Sequence, residues 1–120
     1  MNTKAKGSTA ERELIHLFWK NEWAAIRVAG SGSMKYPSPD ILASNIKRKI
    51  GVECKSTKTK SQYFTKQEIE ELKIFCSLFG AEPWVSIKFS KELYFISLDD
   101  LKETTKNFVI TKESAKIKGL

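Results

Sequence analysis

"PSPDILASNIKRKIGVECKST", residues 37–57, is the stretch on which the reading of this chain turns. Two short runs, "DILAS" and "KIGVECKST", are joined by a polar turn around Asn45 to Arg48 and read as neighbouring strands. Residues two apart in a strand share a face, so Glu53 and Lys55 point one way while Val52 and Cys54 make the apolar face. Asp40 opens the preceding strand, and pairing of the two strands would bring Asp40, Glu53 and Lys55 to one end of a sheet. Two adjacent carboxylates repel. A hard divalent cation such as Mg²⁺, which prefers oxygen ligands and keeps several waters, removes that repulsion. It also activates water and neutralises phosphate charge, and a neighbouring lysine can stabilise the pentavalent phosphorane or position the attacking water. The combination suits phosphodiester hydrolysis. The same spacing also fits an ordinary hairpin, with Asp40 in a turn and Glu53 and Lys55 on the solvent side.

Outward from this stretch the chain reads α-β-β-β-α-β-β. "STAERELIHLFWKNE" is a helix, with Ala10, Leu14, Leu17 and Phe18 at helical spacing and Ser8 and Glu11 spaced as a capping box. "WAAIRVA" (23–29) is a strand, and "GSGSMKYPSP" (30–39) a loop rich in Gly, Ser and Pro. "KTKSQY" reads as a basic connector. "TKQEIEELKIFCSLFG" carries the clearest helix: Thr65 and Glu68 form a capping box, Ile69, Leu72, Phe75, Cys76 and Phe79 share a face, and Gly80 stops it. "WVSIKF" and "LYFISL" form a strand pair, followed by a turn or short helix at "DDLKET" and a last strand "NFVIT". The expected architecture is a single α/β domain over residues 1–120, a central mixed β-sheet flanked by helices. Residues 1–7 read as a basic N-terminal arm and about 112–120 as a loose C-terminal tail.

At 120 residues the chain can bury a proper core. With 41% hydrophobic and 29% charged residues it is of the folded class. No apolar run reaches the roughly 18–20 residues needed to span a membrane. The start lacks a signal-peptide pattern, so an intracellular, cytoplasmic and DNA-associated protein is expected. Two cysteines far apart, with a single histidine, give no zinc set and no expected disulfide. Lysine and arginine number 21 against 14 acids, a net charge of +7, which favours a polyanionic partner, nucleic acid first.

Glu11 lies three, four and seven residues before Leu14, Ile15 and Phe18, so it projects toward the apolar side of its helix. A carboxylate there is costly unless paired or metal-linked. The capping box would occupy the same side chain with a backbone amide, and the spacing fits both. Arg12 and Arg27 could hold phosphates. Ser31 and Ser33 lie in a loop whose amides and hydroxyls could cradle one. Lys47, Arg48, Lys49, Lys58 and Lys60 flank the central motif and could extend a DNA-binding surface. Taken singly, each has the plain explanation of a solvated charge. Trp19, Trp23 and Trp84 read as core or interface residues.

"GSTAEREL", "AAIRVAGSGS", "YPSPDILA" and "GVECKST", in this order, resemble the archaeal Holliday junction resolvases, a group within the PD-(D/E)xK nuclease superfamily. The resemblance covers roughly residues 7–90. It implies a restriction-endonuclease-like core, metal-binding acids at Glu11, Asp40 and Glu53, with Glu11 catalytic as well, the catalytic lysine at Lys55 and an active-site serine at Ser31 more than at Ser33. Arg12 and Arg27 match positions implicated in DNA handling. Members work as homodimers, use Mg²⁺ or Mn²⁺, take no small-molecule cofactor and nick opposite strands of a four-way junction. The chain departs from the pattern at its C-terminal end.

Three functions compete: a structure-selective junction endonuclease, a general or restriction-like nuclease, and an inactive basic DNA-binding module. The intact acids and lysine argue against the last. Fold and motif do not choose between the first two. For the expected dimer, "WVSIKF", "LYFISL" and part of the second helix are the apolar candidates for an interface, with core packing as the competing use.

Overall fold

The computed structural model describes residues 3–29 and 35–111, with side chains from Thr9 onward. The element order is α1 (Thr3–Lys20), β1 (Ala24–Arg27), β2 (Ile41–Ser44), β3 (Lys49–Thr57), β4 (Ser61–Thr65), α2 (Lys66–Phe79), β5 (Glu82–Phe89) and β6 (Glu92–Ser97). A single 3-10 turn (Leu98–Asp100), β7 (Lys102–Glu103) and β8 (Asn107–Thr111) complete it.

Five strands form one mixed sheet in the order β1-β2-β3-β5-β6. β1, β2 and β3 run antiparallel in sequence, β3 and β5 are parallel, and β5 and β6 close an antiparallel edge. Parallel strands need a long crossover, and the segment carrying α2 provides it. A second antiparallel sheet, β4-β8-β7, accompanies the crossover. β4 arises from residues expected to be a connector. Its alternation is weak, with only Phe64 fully buried, and pairing with the distant β8 makes it a strand.

Period-two alternation divides the core. On β3, Ile50 and Val52 face α1 and pack with Leu14, Phe18, Trp23, Ala25 and Ile41. On β5, Val85, Ile87 and Phe89 face α2 and pack with Phe64, Ile69, Leu72, Cys76 and Ile96. A strand between β3 and β6 is covered on both faces, so its apolar residues serve both cores. This corrects the expected interface role of "WVSIKF" and "LYFISL". Trp84, Val85, Ile87, Phe89, Phe95 and Ile96 are all buried within the single chain.

α2 follows its sequence signals. The Thr65 side chain accepts from the Glu68 amide, the Glu68 side chain accepts from the Thr65 amide, and Gly80 ends the helix at φ 82°. Phe79 departs from the expected shared face, being half exposed and stacked on Phe75 at 5.1 Å. α2 can lie close to β3 because Gly51 has no side chain. A Cβ there would stand 2.8 Å from the Cys76 sulfur.

α1 differs from expectation. It reaches back to Thr3, so most of the expected N-terminal arm is helical and Ser8 lies inside the helix. Ser8 is therefore not an N-cap, and Glu11 is not the partner in a capping box. The expected C-terminal tail, like Ser31 and Ser33, lies outside the described residues. Among the described residues no helix is long and apolar enough to cross a membrane.

Candidate active site

β2 and β3 pair with Ile41 opposite Val52, which places Asp40 just beyond the last pair and beside Glu53. The Asp40 backbone is tied on both sides: Val28 N–H donates to its carbonyl at 2.8 Å, and its own N–H donates to Val52 at 3.0 Å. Its Oδ2 accepts from Cys54 N–H at 2.9 Å. The carboxylate is thus fixed where the β1–β2–β3 ladder ends. Glu53 on β3 is hydrogen-bonded to Asp40, and its pKa is pushed up to about 9. Burial is the main cause, the Asp40 charge and that hydrogen bond come next, Glu68 adds to them, and Lys55 opposes them. At neutral pH Glu53 therefore keeps its proton.

Lys55 lies two residues further along the same face. Its ammonium donates to Glu68 Oε1 at 3.0 Å and lies 5.5 Å from the Tyr63 ring centroid and 5.2 Å from that of Phe64. Cys54, on the opposite face, is a buried thiol raised well above its usual range by burial and by the charges of Asp40, Glu11 and Glu53.

Glu11 comes to this end of the sheet from α1, with its side chain only 14% exposed. It accepts from Nε of Arg27, which faces Ile41 on the neighbouring strand. The ion pair ties α1 to β1 next to Asp40. Among the described residues no group of three His, Cys, Asp or Glu side chains is gathered to hold a metal. Asp40 and Glu53 form the close pair, and Glu11 is engaged with the arginine.

The basic positions divide. Arg12, Lys47, Lys49, Lys58 and Lys60 are exposed. Lys47 belongs to the β2–β3 turn and Lys49 opens β3, whereas Lys58 and Lys60 follow the opposite end of β3, the end nearer Lys55. Arg48 differs from the others. It makes two 2.8 Å hydrogen bonds to Glu82, its guanidinium carbon lies 5.4 Å from the Trp23 ring and 5.9 Å from the Trp84 ring, and the pair raises the Arg48 pKa and lowers that of Glu82. A guanidinium held this way fastens β3 to β5, and a candidate DNA surface is drawn without it. Trp23 and Trp84 are buried, as expected for core, while Trp19 is exposed and donates to the Ala25 carbonyl. Glu68 was legible in the sequence only as a cap; its contact with Lys55 depends on how β4 delivers the first turn of α2.

The model of the archaeal Holliday junction resolvase family matches residues 2–120. The chain belongs to that family. It is accordingly an enzyme of the resolvase class. It is 41% identical over 108 residues to the crossover junction endodeoxyribonuclease Hjc of Archaeoglobus fulgidus, covering 89% of this chain and 79% of the relative. It is 38% identical over 105 residues to that of Methanocaldococcus jannaschii, covering 88% and 75%. A crossover junction endodeoxyribonuclease of Sulfolobus islandicus rod-shaped virus 1 is 28% identical over 121 residues, covering 98% and 96%. The solved structure of Archaeoglobus fulgidus Hjc, a Holliday junction resolvase, superposes with a TM-score of 0.84 at 38% identity, covering 90% of each chain. The resolvase fold is thus that of this chain. Membership also implies a divalent cation, and the donor set fits one: two hard carboxyls held together, one of them Glu53 keeping its proton at neutral pH, would exchange that proton for a cation.

Proposed function

We propose that this resolvase cuts four-way DNA junctions by hydrolysing one phosphodiester at each of two equivalent centres in a homodimer. The observation that carries the reading is the hydrogen-bonded carboxyl pair Asp40–Glu53 with Lys55 on the same face of β3 as Glu53. Asp40 and Glu53 would hold Mg²⁺, or Mn²⁺ in its place. When bound, such an ion neutralises phosphate charge and lowers the pKa of a bound water.

Lys55 stabilises the negative charge that builds on the phosphate. Glu11 aims Arg27, which can receive a phosphate beside Asp40. Ser31 acts on the scissile strand and Ser33 contacts the DNA. Arg12, Lys58 and Lys60 neutralise backbone phosphates near this centre, and Lys47 and Lys49 do so from the other end of β3. Such contacts carry affinity without sequence information.

A junction needs two opposed nicks, and a two-fold dimer matches its approximate symmetry. An exposed apolar face supports this. Ile26 and Leu42 line a cleft with Phe79, and Tyr36, Ile74 and Leu78 continue it along α2. Leu78 is 86% exposed and Tyr36 68%, more than a monomer's core explains. Cleavage of a labelled junction and a matched linear duplex, with and without Mg²⁺, tests the reading. Light scattering gives the oligomeric state. A monomer cutting both substrates equally would leave a general nuclease in its place.

A further inference from the structure

The first turn of α2 does more than begin a helix. Glu68 occupies the third position of that turn, and a single carboxylate oxygen, Oε1, accepts two hydrogen bonds. One comes from the Thr65 amide at 2.8 Å and one from the Lys55 ammonium at 3.0 Å. The Glu68 amide in turn donates to the Thr65 hydroxyl at 3.0 Å. The capping box thus holds the Glu68 carboxylate through the Thr65 amide and the Glu68 backbone through the Thr65 hydroxyl before Lys55 reaches it. β4 ends at Thr65, so its Tyr63 and Phe64 belong to the same short segment, and their rings flank the ammonium. A lysine has a long flexible stem and loses rotamer entropy when its end is held. Here its charged end is held by one carboxylate and two ring faces, all from residues 63–68. Lys55 and Glu68 side chains are 25% and 30% exposed, so the pair is only partly screened by water.

We infer that Glu68 is a positioning residue for Lys55: its carboxylate, held by the Thr65 amide, fixes the direction in which the catalytic ammonium is presented. The inference rests on the proposed role of Lys55. A capping glutamate needs no charge to close the box, because a glutamine oxygen accepts from the Thr65 amide equally well. Holding the ammonium draws on the charge, since a glutamine oxygen keeps the hydrogen bond but loses the Coulomb attraction of the ion pair in a partly buried site. The two duties of the side chain are therefore separable by substitution.

The full-length protein is assayed as Glu68→Gln, Thr65→Ala and Lys55→Ala. Three quantities are measured: single-turnover cleavage of a labelled four-way junction in Mg²⁺, junction affinity by gel shift in EDTA, and the melting temperature. The Lys55 side-chain ammonium resonance is followed by NMR. Glu68→Gln is expected to melt with wild type and to bind junction within twofold. It should cleave at least tenfold more slowly, with the Lys55 resonance shifted. Thr65→Ala removes the hydroxyl but keeps the amide that donates to Glu68, so it should melt lower while its folded fraction cleaves at the wild-type rate. Glu68→Gln cleaving at the wild-type rate while Lys55→Ala is inactive would overturn the positioning role and leave the active-site reading intact. Lys55→Ala cleaving near the wild-type rate would overturn both.

Discussion

The carboxyl groups of Asp40 and Glu53 are hydrogen-bonded to one another across the β2–β3 end, and the pKa of Glu53 is raised from 4.5 to about 9. The folded, metal-free protein therefore binds a proton that the unfolded chain releases above about pH 4.5. Its contribution to stability is fully present below that pH and is lost as pH rises toward 9. Thermal melts in EDTA are expected to fall across this window. Glu53→Gln, which stays neutral, should flatten the slope and melt higher than wild type at pH 8.5. Parallel slopes for the two proteins would contradict a proton retained on Glu53.

A cation binding to this pair has to displace that proton. Mg²⁺ should raise the melting temperature more at pH 8.5 than at pH 6, and about one proton should leave per ion bound at pH 7. Calorimetry in buffers of different ionisation enthalpy counts the proton. Asp40→Asn and Glu53→Gln should abolish both effects.

Asp40→Asn, Glu53→Gln and Lys55→Ala should each lower junction cleavage by about 100-fold or more, the scale expected when transition-state charge stabilisation is removed. Junction affinity should stay within a few fold, because it comes from distributed phosphate contacts. Gel shifts and cleavage of the same preparations check this. Near-normal cleavage by any of the three would remove the proposed centre.

Gly51→Ala places a methyl 2.8 Å from the Cys76 sulfur and 3.4 Å from Pro39. Such overpacking should cost about 1–3 kcal/mol, read by urea unfolding. Because Cys76 is the closest obstacle, adding Cys76→Ala should recover part of the loss, and the two changes should not be additive.

Leu78→Glu puts a charge in the exposed apolar face of α2 without touching the core of one chain. The expected result is a folded monomer by light scattering and circular dichroism, with junction cleavage lost. A dimer that persists would place the two-fold contact elsewhere.

The order of local signals determined much of this protein. Strand β3 falls on residues 49–57 as its alternation implied, and α2 lies between its Thr65–Glu68 box and Gly80 because capping and helical period are properties of neighbouring residues. The opposite facing of Glu53 and Cys54, and the closeness of Asp40 to Glu53, follow from the two-residue period and a short turn. Tertiary structure decided what depends on distant partners. β4 is a strand through β8, about 45 residues on, because hydrogen-bonding partners and not propensity made it one. The aromatic strands were consumed as core because β5 lies inside the sheet with helices on either side, a placement no local pattern encodes. Glu11 looked equally like a cap and a buried acid until α1 extended past Ser8 and Arg27 came to meet it. Arg48 looked like its lysine neighbours until Glu82, brought alongside by the β3–β5 pairing, took its guanidinium. Glu68 was readable as a cap from three residues of sequence. Its grip on Lys55 exists only because β4 returns the chain over the end of β3, and a charge can find its partner there only once the backbone has closed that distance.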